Sequence, residues 1–279
     1  MNTTTTTNLE NKMKNINPMP INLDADGRFN SENVAIVISF SGGKDSSAML
    51  ATICENYPNA KKYVVMADTG FEHDDAIEWS EKIVNSFGLE LNVVRGNWKD
   101  GSVKTFQNMV QDRKKFPSSG CRQCTSDLKR DPIYKWIRNN VSEPIIINAM
   151  GLRADESRNR AAKSVFSFNK RLSTKVINYQ RKRSGFDWLP IHTWTTDEVI
   201  SYLDSQGIDL HPAYAYLPRF SCRLCILMRK QDIVAVYHND RPAFDMMSDL
   251  EQEIGFTMRN GESLVQLIEN EVGEEVVAA

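Results

Sequence analysis

Three short runs of consecutive apolar residues stand out in the first half of the chain, at positions 34–38, 63–67 and 145–147. Each is too short for a helix that buries one stripe, and none alternates with polar residues. They therefore predict strands covered on both faces. Positions 91–94 add a further strand. Between the runs the apolar spacing changes to that of a helix, over 46–55, over 74–87 with Ala76, Ile77, Ile83 and Val84 on one stripe, and over 128–139 with Pro132 in the first turns. Further on, Thr195 to Glu198 offer an N-cap and early acidic residues to a helix that reaches Asp204 and is stopped by Gly207. Strands alternating with helices predict an open, mostly parallel, doubly wound α/β sheet with right-handed crossovers. Ligands on such sheets sit beyond the carboxyl ends of the strands. Residues 1–30, with five consecutive threonines, are polar and Asn-rich and are expected to form a loosely attached, disordered leader.

Composition narrows this picture in two ways. At 279 residues, 41% hydrophobic and 25% charged, the chain can bury a full core without disulfides. It shows no apolar run near bilayer length and no export signal, so no membrane is implicated and the cytoplasm is the expected location. The net charge of -2 conceals an uneven distribution. Residues 151–185 hold ten Lys or Arg against Asp155 and Glu156, while residues 239–279 hold ten acids against Arg241 and Arg259. The basic stretch suits a polyanion such as nucleic acid, and equally a hydrated loop; the acidic end suits a solvated helical surface.

The chemistry begins where the first strand ends. Ser39, Phe40, Ser41, Gly42, Gly43, Lys44, Asp45 and Ser46 follow a strand and open a helix. Paired glycines allow a tight turn and a close backbone approach to phosphate. The helix N-terminus presents free N–H groups and the positive end of its dipole to an anion. Ser41 and Ser46 add hydroxyls and Lys44 a charge. The spacing is not that of a Walker A loop.

Ser-Gly-Gly-Lys-Asp-Ser resembles the pyrophosphate-loop motif of the adenine nucleotide α-hydrolase-like superfamily. Four further segments resemble the phosphoadenosine phosphosulfate (PAPS) reductase family. They are Asp68-Thr69-Gly70-Phe71-Glu72, then Cys124-Thr125 with Leu128-Lys129 and Pro132, then Gly151-Leu152-Arg153 with Glu156-Ser157-Arg158, and last Pro190-Ile191 through Trp194 to His211-Pro212. The resemblance runs collinearly over about residues 33–228 and implies an adenine nucleotide α-hydrolase-like fold with a helical, metal-bearing C-terminal part. It implies a nucleotide-binding domain over 31–228 and an acidic helical extension over 229–279. Nucleotide contacts are then expected from Ser39, Ser41, Gly42, Gly43, Lys44, Asp45, Ser46, Asp68, Thr69, Lys129, Gly151, Arg153 and Arg158, with Lys44, Asp45 and Arg153 catalytic. By their chemistry Asp68 and Thr69 suit a ribose, a cation or a cap, and Arg153 and Arg158 suit bidentate phosphate contacts or surface ion pairs.

Of five cysteines, four form two Cys-x-x-Cys pairs, Cys121 with Cys124 and Cys222 with Cys225. Two such turns can complete one four-thiolate site, and two redox disulfides or free thiols are the alternatives. Spacing does not separate zinc from iron–sulfur. The family resemblance favours an iron–sulfur cluster, although the family's first pair is Cys-Cys. Cys54 lies on the apolar side of a helix and suits core packing. His73, His192, His211 and His238 have no ligand spacing.

The family's sulfonucleotide reductases use a further cysteine near the C-terminus, whereas no cysteine follows Cys225 here. This favours the other chemistry implied by the superfamily, cleavage of ATP to AMP and pyrophosphate, with Mg2+, to activate an acceptor for sulfur transfer. A sulfur-donor protein and a nucleic-acid acceptor are the partners this implies. The alternatives are a reductase acting on PAPS or adenylyl sulfate, and a nucleotide-binding regulatory subunit without turnover.

Overall fold

The computed structural model describes residues 16, 17, 19, 33–175, 182–220 and 222–273. Most of the expected leader, and Arg181 of the basic stretch, lie outside the described residues. Within the leader, the Asn17 N–H donates to the Pro190 carbonyl at 2.8 Å, its carbonyl accepts from Trp188 Nε1 at 2.9 Å, and Met19 is buried.

Seven strands form one sheet in the order β4-β3-β2-β1-β5-β7-β6. They are β1 (Val34–Phe40), β2 (Lys61–Asp68), β3 (Leu91–Asn97), β4 (Val103–Lys104), β5 (Ile145–Met150), β6 (Phe166–Phe168) and β7 (Ser184–Trp188). The five central strands are parallel, and β4 and β6 add antiparallel edges. The mostly parallel open sheet agrees with the alternation of apolar runs and helical periods. The chain moves outward from β1 through β2 to β3 and then returns to β5 on the other side of β1. The order therefore reverses between β1 and β5, the position at the strands' carboxyl ends where open α/β sheets place their ligand crevice.

The helices are α1 (Lys44–Asn56), α2 (Ala76–Ser86), α3 (Phe106–Arg113), α4 (Asp131–Asn140), α5 (Arg158–Ala161), α6 (Thr196–Ser205), α7 (Lys230–Asn239), α8 (Arg241–Ile254) and α9 (Leu264–Val272). Alternate residues of β1 face opposite sides, as the pleat requires. Ile36 and Ile38 pack with Met49, Ile53, Val84 and Val199 of α1, α2 and α6, whereas Ala35 and Val37 pack with Ile133 and Ile137 of α4. Thr195 caps α6 in a reciprocal pair with Glu198. The helix expected over 128–139 is two pieces, a wide π-helical turn Cys124–Arg130 and then α4. Pro132 explains the junction, because its ring and missing N–H exclude a continuous α-helix running through it.

A third core lies beneath α7, α8 and α9, where Ile233, Val236, Phe244, Met247, Leu264 and Leu267 meet Phe106 and Met109 of α3 and Leu224 and Met228 of the cysteine-bearing segment. The acidic end thus has polar outer faces over a core that runs across residues 228 and 229. No helix among the described residues is long and apolar enough to cross a membrane.

Candidate active site

The loop between β1 and α1 lies at the reversal point of the sheet. Gly42 has φ +73°, a conformation that side-chain-bearing residues rarely adopt. Gly43 ends the turn as the residue before α1, with no side-chain cap on the helix. Ser46 closes the loop instead: its hydroxyl donates to the Gly43 carbonyl at 2.9 Å and accepts from the Ser41 N–H at 3.3 Å, with Ser41 Oγ 3.2 Å away. Ser39, at the end of β1, donates to Asn148 Oδ1 of β5 at 2.9 Å, and Asn148 in turn donates to Asp187.

The second wall of the crevice is the segment after β5. Gly151 passes so close to α1 that a Cβ there would stand 3.0 Å from the Asp45 carbonyl oxygen. Arg153 is 2% exposed, and all three of its nitrogens have protein partners. Nε donates to Asp45 at 2.6 Å, Nη1 to Asp155 at 2.6 Å and to the Trp194 carbonyl, and Nη2 to Thr196 at 3.0 Å. In this arrangement Arg153 is a buried strut that fixes the first turn of α1 against the β5 segment. Arg158 is exposed, and the neighbouring Arg160 pairs with Glu156.

Asp68 ends β2 and accepts from Arg95 at 2.7 Å and from the Gly70 N–H at 2.8 Å. Thr69 is buried, with its N–H and hydroxyl both donating to Glu72. Their polar atoms therefore build the turn after β2, which is neither of the helix caps considered for them, because α2 starts only at Ala76.

Lys44 is 6% exposed; its N–H donates to the Tyr214 hydroxyl at 2.8 Å and its ammonium to the Pro218 carbonyl at 3.1 Å. Burial pushes the Tyr214 phenol up to about 12, so it is protonated at neutral pH. Neither Tyr214 nor Pro218 stood out in the sequence as a site residue. The pointers were their position after His211-Pro212 and, for Pro218, the resemblance of Leu217-Pro218 with Ser221-Cys222 and Cys225 to the family's later cysteine element.

Lys129 lies on the cysteine side of the molecule, donating to Cys222 Sγ at 3.4 Å with Glu72 at 3.6 Å. Burial lowers the affinity of its ammonium for a proton, but Cys222 and Glu72 outweigh this and hold it above its ordinary value. Cys124, Cys222 and Cys225 are half-buried against the third core and feel one another's charge. Burial raises the Cys124 thiol and pushes Cys222 up to about 11, against the opposing pull of Lys129. A metal bound there would have to displace these protons. Cys121 is exposed on the preceding turn. Among the described residues no group of three or more His, Cys, Asp or Glu is already drawn together around a metal position. Cys124, Cys222 and Cys225, donors suited to a thiophilic metal, pack half-buried against the same core, and Cys121 lies three residues before Cys124.

Further basic side chains of the 151–185 stretch are engaged by the fold, and others are exposed. Arg171 pairs with Asp131, Arg183 donates to the Arg138 and Val141 carbonyls, and Lys163, Lys170, Lys175 and Lys182 are exposed. Cys54 packs against the first core as expected, and His192 and His211 are buried.

A mostly parallel open sheet whose order reverses beside a Gly-Gly loop opening a helix defines the chain as a doubly wound α/β protein. Residues 35–217 match the phosphoadenosine phosphosulfate reductase domain, and the chain belongs to that family. It is 24% identical to an uncharacterized 37.8 kDa protein of Escherichia phage 186, over 85% of this chain and 80% of that one. It is 25% identical to an uncharacterized protein of Methanocaldococcus jannaschii, over 81% of this chain but 50% of that one. With sulfate adenylyltransferase subunit 2 of Mycobacterium tuberculosis it shares 26% identity, over 75% of this chain and 65% of the relative. The chain thus spans less than two thirds of the length of these last two. Among solved structures, it resembles the U34-tRNA thiolase NcsA from Methanococcus maripaludis with its 4Fe-4S cluster, with TM-score 0.45 and 16% identity over 92% of this chain and 81% of that one. It also resembles a PAPS reductase from Candida auris, with TM-score 0.41 and 12% identity over 66% of this chain and 77% of that one.

Proposed function

We propose that the chain binds ATP on the 41–46 loop and cleaves it to AMP and pyrophosphate, activating an acceptor for sulfur transfer. The observation that carries this reading is the position of the loop, at the helix N-terminus and at the reversal point of the sheet. The family membership and the adenylyltransferase subunits among its relatives support it. Ser41, Gly42, Gly43, Asp45 and Ser46 would supply backbone and hydroxyl contacts to the phosphates, and Lys44 the positive charge. Ser39, Asp68, Thr69, Gly151 and Arg158 would border the nucleoside end, and Arg153 would act through Asp45, which it holds.

In the reaction an acceptor oxygen attacks the α-phosphorus and releases its proton to solvent. The bond from the α-phosphorus to the bridging oxygen breaks, and pyrophosphate leaves with the electron pair, its charge met by Lys44 and the loop amides. A sulfur nucleophile from the donor then attacks the acceptor carbon that carries the adenylylated oxygen, and AMP leaves with that carbon–oxygen electron pair. Mg2+ bound with the nucleotide would neutralise further phosphate charge. Cys124, Cys222 and Cys225, with Cys121 as a fourth thiolate, would hold an iron–sulfur cluster, with zinc as the alternative metal; a cluster would supply a redox-capable centre. A sulfur-donor protein is the partner this reading requires, and the exposed Arg158, Lys163, Lys170, Lys175 and Lys182 suit a nucleic-acid acceptor.

A second reading rests on Cys121, the one exposed thiol among the described cysteines. Its thiolate would attack the sulfur of PAPS or adenylyl sulfate and release the nucleotide. A second thiol from a reductant would then attack the cysteine sulfur, forming a disulfide and releasing sulfite.

One assay separates the readings. Protein reconstituted anaerobically with iron and sulfide is incubated with ATP and Mg2+, or with PAPS or adenylyl sulfate plus a thiol. Pyrophosphate and AMP are measured in the first case and sulfite in the second. Pyrophosphate release that falls in Lys44→Ala supports the first reading. Sulfite release that is lost in Cys121→Ser replaces it with the second. Nucleotide binding with neither product, even with candidate acceptors and sulfur-donor partners added, would mark a regulatory subunit.

A further inference from the structure

The phosphate loop is already in contact with another part of the chain. Residues 211–220 lie across it, starting with the short 3-10 turn Pro212–Ala215. The first amide of α1, that of Lys44, donates to the Tyr214 hydroxyl at 2.8 Å. The Lys44 ammonium donates to the Pro218 carbonyl at 3.1 Å and stands 5.1 Å from the centre of the Tyr214 ring. A Cβ on Gly43 would meet the Phe220 carbonyl oxygen and the Tyr214 hydroxyl, each at 3.2 Å. The amide and the ammonium suited to phosphate oxygens therefore both donate to neutral oxygens of this one segment, the ammonium with the Asp45 carboxylate also at 3.8 Å.

We propose that Tyr214 and Pro218 form a built-in latch on the phosphate loop, occupying with a hydroxyl and a carbonyl oxygen the places that nucleotide phosphate oxygens take. The inference rests on the nucleotide reading above and adds that the segment must lift for the nucleotide to bind. Two physical arguments support displacement. Phosphate is an anion at a positive helix end, and charge-assisted hydrogen bonds are roughly twice as strong as those to neutral oxygens. The latched arrangement also leaves buried polar atoms without partners beneath it. His73 Nε2 and Trp79 Nε1 have no hydrogen-bond partner among the described residues, and the His73 ring stacks on Phe220 at 5.2 Å while Trp79 packs edge-on against His211 at 5.1 Å. Lifting the Phe220 end of the segment would give His73 Nε2 access to water, which lowers the cost of opening, while Trp79 stays packed on His211. The segment is fastened at its start, where His211 Nε2 meets Asp75 at 3.0 Å and Nδ1 accepts from the Ala213 N–H, so that end can serve as the fixed point.

The test compares the full chain with Tyr214→Phe, which keeps the ring and removes only the hydroxyl. ATP with Mg2+ and inorganic pyrophosphate are titrated calorimetrically, and hydrogen exchange is followed in peptides covering 41–48 and 211–220. The latch predicts about two- to tenfold tighter ATP binding in Tyr214→Phe, because the competing hydrogen bond is gone. It predicts faster exchange over 41–48 in the variant without nucleotide. In the unaltered chain, ATP should slow exchange over 41–48 and speed it over 211–220. Weaker ATP binding in the variant, or ATP protection of both peptides, would overturn the latch and make Tyr214 a ligand-holding residue. If neither protein binds ATP or pyrophosphate, the nucleotide reading falls by itself. The latch is then still decided by nucleotide-free exchange, where an unchanged 41–48 peptide in Tyr214→Phe overturns it.

Discussion

Gly42→Ala tests how tightly the phosphate loop is held against the helix behind it. Gly42 has φ +73°, and a Cβ there would fall 2.5 Å from Ser80 Oγ and 3.0 Å from Phe220 Cε1. The left-handed backbone costs a non-glycine residue about 1–2 kcal/mol. Forcing a methyl into a packed site adds about 1–3 kcal/mol. The sum is about 2–5 kcal/mol, a large share of a typical domain's stability. Ser80 makes the two contributions separable. It is fully buried in α2, and its hydroxyl has no partner among the described residues, so Ser80→Ala by itself should be neutral or stabilising. In the Ser80→Ala background the nearest obstacle to the new methyl is the edge of a ring, and the cost of Gly42→Ala should fall towards the backbone contribution alone, about 1–2 kcal/mol. The four proteins form a double-mutant cycle read by urea denaturation. A loss below about 0.5 kcal/mol for Gly42→Ala would refute the backbone argument. The same loss with and without Ser80 would refute the steric one.

Arg153→Met should lower stability by about 3 kcal/mol, at the low end for a broken buried pair because Asp155 is partly solvated, and a urea midpoint shift worth less than about 1 kcal/mol would show that Arg153 is not the strut between α1 and the β5 segment. Asp240 caps α8 and accepts two hydrogen bonds from Arg223; although burial raises its carboxyl, Arg223 outweighs this and holds it below its usual 3.8. A depressed native value means stability that is present above pH 3.8 and lost as pH falls through the native value, so Asp240→Asn should be destabilised by about 1–3 kcal/mol at pH 7 with the difference shrinking below pH 3.8, and a constant gap from pH 7 to pH 2.5 would refute the assignment. Anaerobically purified protein should contain iron and acid-labile sulfide, both lost in Cys124→Ser and in Cys225→Ser; zinc without sulfide would replace the cluster by a structural metal, and full iron in either variant would rule out a shared site.

What the sequence disclosed, and what it hid, follows from which interactions are local. β1, β2 and β5 were legible because strands buried on both faces must be apolar throughout, whereas their order, with β5 returning beside β1, came only from the folded structure. β6 and β7 were not, since an edge strand carries exposed residues such as Phe168 and β7 carries Gly185, where a Cβ would lie 2.4 Å from Leu172. That glycine reads as a loop residue until the close approach is seen. The phosphate loop was legible because its turn, its helix and its hydroxyls are consecutive in the chain. Arg153 was noticed as a charge, but its partners Asp45 and Thr196 lie 108 and 43 positions away, so phosphate contact and ion pairing looked equivalent until the fold brought those partners to it. Cys121 and Cys124 look identical in spacing, yet the onset of the π-helical turn carries Cys124 inward and leaves Cys121 at the surface. Tyr214 was hidden most completely, because a tyrosine after His-Pro carries neither charge nor periodicity. Its hydroxyl meets the Lys44 amide across 170 positions of chain, so only the folded arrangement reveals the contact on which the proposed latch rests. The motif identifies the kind of ligand that suits the loop; the long-range contact determines what that ligand has to displace.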